Sequence, residues 1–79
     1  MVIMAVEDIY IAIQNHQMLE IDYTNQKNER STRTIEPLEL RDGKLYAWDI
    51  AKDSVRCFFL APEVLHSVVL LSTTFIPRF

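Results

Sequence analysis

The sequence predicts a mainly β fold with one N-terminal helix, its five short strands curling into a small barrel. Three observations carry this reading. Apolar residues recur at spacings of three and four up to about residue 16, the period of a helix face. Beyond that point apolar and polar residues largely alternate, the period of a strand. Between two such runs stands Asp42-Gly43, a hairpin turn signal, because a tight type I′ turn needs positive φ and glycine supplies it cheaply. No second helical stretch separates the strands. They therefore connect in series as an antiparallel meander, and curling covers edges and inner faces that five flat strands would leave open.

The helix spans about residues 2–16. Val2, Val6, Ile9 and Ile13 share one face, and Tyr10 widens the stripe. Ile3, Met4 and Ile11 lie off it, so the helix is apolar over more of its girth than a lone surface helix requires. Asn15-His16-Gln17 ends it, with His16 a solvated C-terminal residue. Met18 to Thr24 is a strand with one wet face: Leu19, Ile21 and Tyr23 point one way, Glu20 and Asp22 the other. Asn25 to Glu29 is a polar loop. Arg30 to Leu40 is extended, and Pro37 marks a bend, an end or an edge within it.

Lys44 to Ala51 follows the hairpin turn, with Leu45 and Ala47 on one face and Tyr46, Trp48 and Ile50 on the other. Lys52-Asp53-Ser54 is a second turn. Val55 to Leu60 is apolar on both faces, which predicts a central strand. Arg56 interrupts that apolar surface, and a half-buried guanidinium needs an acceptor. After Ala61-Pro62-Glu63, Val64 to Leu71 is β-branched and aliphatic and forms the fifth strand, with His66 packed or at its rim. Ser72-Thr73-Thr74 stops it, and residues 72–79 form a tail ending in two aromatic rings.

Composition narrows the function. Seventy-nine residues make one domain, 1–79, near the lower limit for folding without a staple. Cys57 is the only cysteine, which excludes an internal disulfide and fits an inert core thiol in a reducing, cytoplasmic setting. One cysteine and two distant histidines build no metal site, and no cofactor motif is present. No apolar run approaches ~20 residues, so no membrane span is expected, and the N-terminus lacks the basic region of a signal peptide. No nucleophile triad or phosphate loop occurs, so the chain is not expected to be an enzyme. The net charge of −3 argues against a surface that attracts nucleic acid everywhere, but all eight basic residues follow residue 26. A local basic patch is compatible with that distribution.

Four segments, in order, resemble the WYL domain, a bacterial regulatory module with an SH3-like or Sm-like β-barrel. Ile9 to Tyr23 resembles the family's opening helix and first strand. Arg33-Thr34-Ile35-Glu36-Pro37-Leu38 resembles its R-x-[VI]-x-P-L segment, and Arg56-Cys57-Phe58-Phe59-Leu60 its R-x-F-x-L signature. Ser67-Val68-Val69 through Phe75-Ile76-Pro77 resembles the stretch that leaves the barrel. The triplet that names the family is absent, and Gly43-Lys44-Leu45-Tyr46-Ala47-Trp48 takes its place.

The resemblance implies a non-enzymatic regulatory module in transcription or defence, binding its ligand through a basic, partly aromatic face. It maps ligand binding onto Arg33 and Arg56, and more loosely onto Tyr46 and Trp48. Two guanidinium forks suit phosphate oxygens, and an aromatic ring suits a base or sugar, so a nucleotide or single-stranded nucleic acid is the expected partner. The competing expectation is internal: Arg56 pairs with Glu36 or Asp49 and binds nothing, and Arg33 likewise serves the fold. Lys27 and Arg30 read as solvated charge. A second class of function is a homodimer or protein-interaction module, built on the helix's surplus apolar residues, the last strand and the tail. Family members usually follow a winged helix-turn-helix DNA reader, for which this chain has no spare helix. It would then act through a partner regulator, through self-association or by binding a nucleotide or single strand directly, unless it is a piece of a larger regulator.

Overall fold

A computed structural model describes residues 6–78. One helix, α1 (Val6–Asn15), precedes five strands: β1 (Gln17–Thr24), β2 (Arg30–Arg41), β3 (Lys44–Asp49), β4 (Ser54–Phe59) and β5 (Leu65–Thr74). All pairings are antiparallel, in one sheet of order β4-β3-β2-β1-β5. This is the expected class, five antiparallel strands with one N-terminal helix. The expected helical residues Val2, Ile3 and Met4 lie outside the described part.

Glu7 and Asp8 sit in the first turn of α1, where carboxylates complement the helix dipole. Ile9 and Ala12 are buried, and Ile13 packs beside them. His16 takes a left-handed φ of 54° and ends the helix where glycine or asparagine more often does. The chain then enters β1 at once. Leu19, Ile21 and Tyr23 of β1 are buried and alternate with wetter neighbours, as their spacing predicts. At the β2–β3 turn Asp42 and Gly43 both have positive φ, 54° and 73°, the geometry of the type I′ turn. Pro37 lies within β2 next to a register shift between Pro37 and Glu39, so the strand bends there and continues.

The sheet curls tightly enough that β1 meets β4, although β2 and β3 lie between them in the ladder. The Tyr23 and Phe58 rings meet edge to face, 5.0 Å apart at 88°. The Phe59 amide donates to Tyr23 Oη at 3.1 Å, which satisfies a donor on β4 that no neighbouring strand reaches. Inside the curl, Leu19, Ile21, Ile35, Leu45 and Leu65 are essentially inaccessible to water. Each such side chain stabilises the fold by roughly 1.5–3 kcal/mol.

Three expectations are corrected. The Val55–Leu60 strand is not central: β4 is an edge strand, and of its six residues only Phe58 is buried. Its second apolar face, Val55, Cys57 and Phe59, looks outward. Cys57 is therefore exposed and not an inert core thiol. Finally, Ser72-Thr73-Thr74 does not stop the last strand. β5 runs on to Thr74, which pairs with Gln17 beyond a register shift in β1, and the Phe75 amide then donates to the His16 carbonyl at 2.8 Å. Pairing available at the start of β1 overrides the weak stop signal. Among the described residues, no helix is long and apolar enough to cross a membrane.

Candidate ligand cleft

A cleft of about 490 Å³ opens where the curled sheet brings β1 and β4 together. Lys27, Arg33, Lys52 and Arg56 line it, with Glu29 as the one carboxylate and Tyr23, Phe58 and Phe59 as the rings. Four short-range features build it. The Asn25 side chain accepts the amides of Lys27 and Glu29, both at 2.9 Å, which folds the β1–β2 loop into a compact turn over the cleft. The same side chain donates to Glu29 Oε1 at 3.1 Å, so that carboxylate is already engaged. The β3–β4 turn, closed by the Asp53 amide on the Asp49 carbonyl at 2.8 Å, brings Lys52 to the rim. On β4, Arg56 lies opposite Ala47, so it projects to the same side of the sheet as the core residues Leu45 and Ala47.

The two signature arginines differ sharply. Arg33 donates from Nη1 to Asp49 Oδ2 at 2.6 Å and from Nε to Ser31 Oγ at 3.1 Å. Its side chain is 11% exposed and that of Asp49 is 0% exposed. The second Asp49 oxygen accepts the Ala51 amide at 3.1 Å, so this buried carboxylate is fully partnered. Arg33 thus follows the internal expectation while still lining the cleft. Arg56 is exposed, and among the described residues no carboxylate comes within ion-pair distance of it. Both carboxylates it was expected to meet are held by other arginines: Asp49 by Arg33, and Glu36 by Arg78 at 3.0 Å.

Tyr46 and Trp48 are not brought to this cleft. They alternate with Leu45, Ala47 and Asp49 along β3 and stand on the opposite face. There the Arg78 guanidinium lies 4.5 Å above the Trp48 ring, and that of Arg41 lies 4.9 Å from the Tyr46 ring. The rings on the side of Arg56 are instead Tyr23 and Phe58, both buried; Phe59 borders the cleft but stands on the outer face of β4, where Lys44 Nζ lies 5.5 Å from its ring. Counting across the β3–β4 turn is the signal that identifies Phe58. Its register pairs Asp49 with Ser54, so Phe58 falls opposite Leu45, and Arg56 falls two residues before it on the same face.

The fold and the cleft together define a small antiparallel β domain with cations gathered at one end of its sheet. The chain belongs to the WYL domain family, whose model matches residues 4–61. Eight chains of solved structures match it. One is proteasome accessory factor B/C (PafBC) of Arthrobacter aurescens, 27% identical, with a TM-score of 0.70 over 89% of this chain. The match covers 11% of the PafBC chain. No curated protein sequence matches.

Proposed function

We propose that this domain is a non-enzymatic regulatory module whose cleft binds a phosphate-bearing ligand, a nucleotide or a short single-stranded nucleic acid. The curled sheet would then be the SH3-like or Sm-like barrel of its family. The carrying observation is Arg56: a guanidinium on the inner side of the sheet, at an open cleft, that no carboxylate among the described residues pairs with. Lys27 and Lys52 flank the same opening and Arg33 is fixed at its wall, so an entering anion meets several cations and one occupied carboxylate. Tyr46 and Trp48, on the other face, have no part in this reading. Because the chain corresponds to a small part of PafBC, regulation would run through a larger assembly or a partner chain.

The test is Arg56→Ala. Fluorescence polarisation with a labelled short oligo-dT should show binding by the native protein that weakens with rising salt. The variant should lose roughly tenfold or more, as expected for a charge-assisted contact worth about 1.5–3 kcal/mol. Equal binding by the two proteins, or none by the native protein at low salt, overturns the proposal.

A second reading rests on exposed apolar side chains. Tyr10 and Ile11 on α1 are 54% and 41% exposed, and Val69 on β5 is 47% exposed. Such residues suit self-association. Light scattering at micromolar concentration should then report a dimer, and a monomer discards that reading.

A further inference from the structure

On the opposite face of the sheet from the cationic cleft, Glu36 and Trp48 are paired neighbours on β2 and β3. Glu36 is almost wholly buried, its side chain 7% exposed. A buried carboxylate must be paired or hydrogen-bonded to be tolerated. Its partner comes from the C-terminal segment. Arg78 donates from Nε to Oε1 at 3.0 Å and from Nη2 to Oε2 at 3.3 Å, a two-pronged fork. The same guanidinium stacks on the indole, 4.5 Å from its centroid. A planar cation that fills a fork and a π face together is the ligand for which arginine, and not lysine, is built.

The two halves of this contact are held very differently. Glu36 and Trp48 are fixed on adjacent strands. Arg78 comes from residues 75–78, which form no strand or helix, and its side chain is 43% exposed. Ile76 in the same segment is 89% exposed. Beside the contact lies a groove of about 470 Å³, with Pro37, Tyr46 and Val55 on the sheet side and Phe75 and Pro77 on the tail side. Among the described residues, the segment 75–78 borders this groove through Phe75 and Pro77.

We propose that Glu36 and Trp48 form a receiving site for the arginine side chain of a partner protein, occupied in the resting domain by Arg78. An extended partner segment with one arginine and adjacent apolar residues would satisfy Glu36 and also fill the groove. Exchange is favoured over simple release, because an emptied site leaves the Glu36 carboxylate buried and unpaired. The tail is then a strap whose displacement signals capture of the partner.

The experiment uses Trp48, the only tryptophan in the chain, as its own reporter. Arg78→Ala should change Trp48 emission while the circular-dichroism melt stays cooperative. The amidated peptide Thr-Phe-Ile-Pro-Arg, added to that variant, should restore the native emission. It should bind the native protein at least tenfold more weakly, because Arg78 competes there. The same peptide ending in lysine should bind the variant at least tenfold more weakly than the arginine peptide. Equal peptide binding by native and variant proteins, or equal binding of the two peptides, overturns the proposal. A native dimer that Arg78→Ala converts to monomer would mean that tails are traded between copies, and would overturn the partner reading too.

Discussion

Arg33 and Arg56 line one cleft and yet are held differently. Arg33 lies two residues before Ile35 on β2, and Ile35 stands opposite Asp49, so a buried carboxylate lies within its reach. Arg56 stands opposite Ala47, and among the described residues no carboxylate comes within ion-pair distance of it. The chemistry of the side chain is identical in both. What separates them, among the described residues, is whether a buried carboxylate lies within reach on the neighbouring strand. Arg78 makes a third case, a paired cation on a segment without regular structure, whose partner is fixed and whose own attachment is slight. An arginine is thus read by the carboxylate it meets and by how firmly each half of the pair is held.

The sharpest way to break the comparison is at Arg33. Arg33→Ala should destabilise the domain by about 3–5 kcal/mol, because Asp49 would remain buried without its partner. Urea denaturation should show the midpoint fall. A double replacement by apolar residues, Arg33→Met with Asp49→Leu, should recover much of that loss, since neither charge is then stranded. If Arg33→Ala alone is silent, the pair is not structural and the contrast with Arg56 fails.

Tyr23→Phe comes next, at about 1 kcal/mol, because it removes the acceptor for the Phe59 amide at the β4 edge. Faster hydrogen exchange at that amide would confirm the link between β1 and β4. Arg56→Ala should alter stability by less than about 0.5 kcal/mol in the same denaturation assay, as surface changes usually do. A larger loss would make Arg56 a second scaffold arginine.

The smallest effect is expected at the exposed pair of Arg30 and Asp22, 2.7 Å apart. The hydrogen bond from Arg30, aided by its charge, lowers the Asp22 carboxyl below its ordinary 3.8. The native state therefore favours the charged form. The stabilisation is fully present above about pH 4 and is lost as pH falls through the lowered value. Asp22→Asn should therefore remove that small stabilisation at neutral pH, while the variant and native proteins converge at low pH, which flattens that part of the acid limb.

Much of the fold was legible because its signals are local. The alternation of Leu19, Ile21 and Tyr23 names the buried face of β1, and Asp42-Gly43 names the β2–β3 turn from two residues alone. The site was legible only in part, and the reason is countable. A turn at 52–54 pairs Ala51 with Val55 and places Arg56 on the face of Trp48 and Ile50. The actual turn occupies 50–53 and pairs Asp49 with Ser54. That odd shift in register moves Arg56 to the other face, away from Trp48 and toward Phe58. The edge position of β4 was missed for a related reason. Apolar residues on both faces of a strand signal cover on both faces only when cover exists, and here Val55, Cys57 and Phe59 remain open to solvent.

From its amino acids alone, then, this chain declared a helix, five strands and the β2–β3 turn. Those properties arise from backbone preference and side-chain period, which act within a few residues. Strand order, register and the partner of each charge were decided only when the sheet closed on itself. Those depend on which distant residues come within 3 Å or so of one another, the range at which an ion pair or hydrogen bond acts. A one-residue difference in the length of the β3–β4 turn, invisible in composition, decides which face of the sheet Arg56 takes.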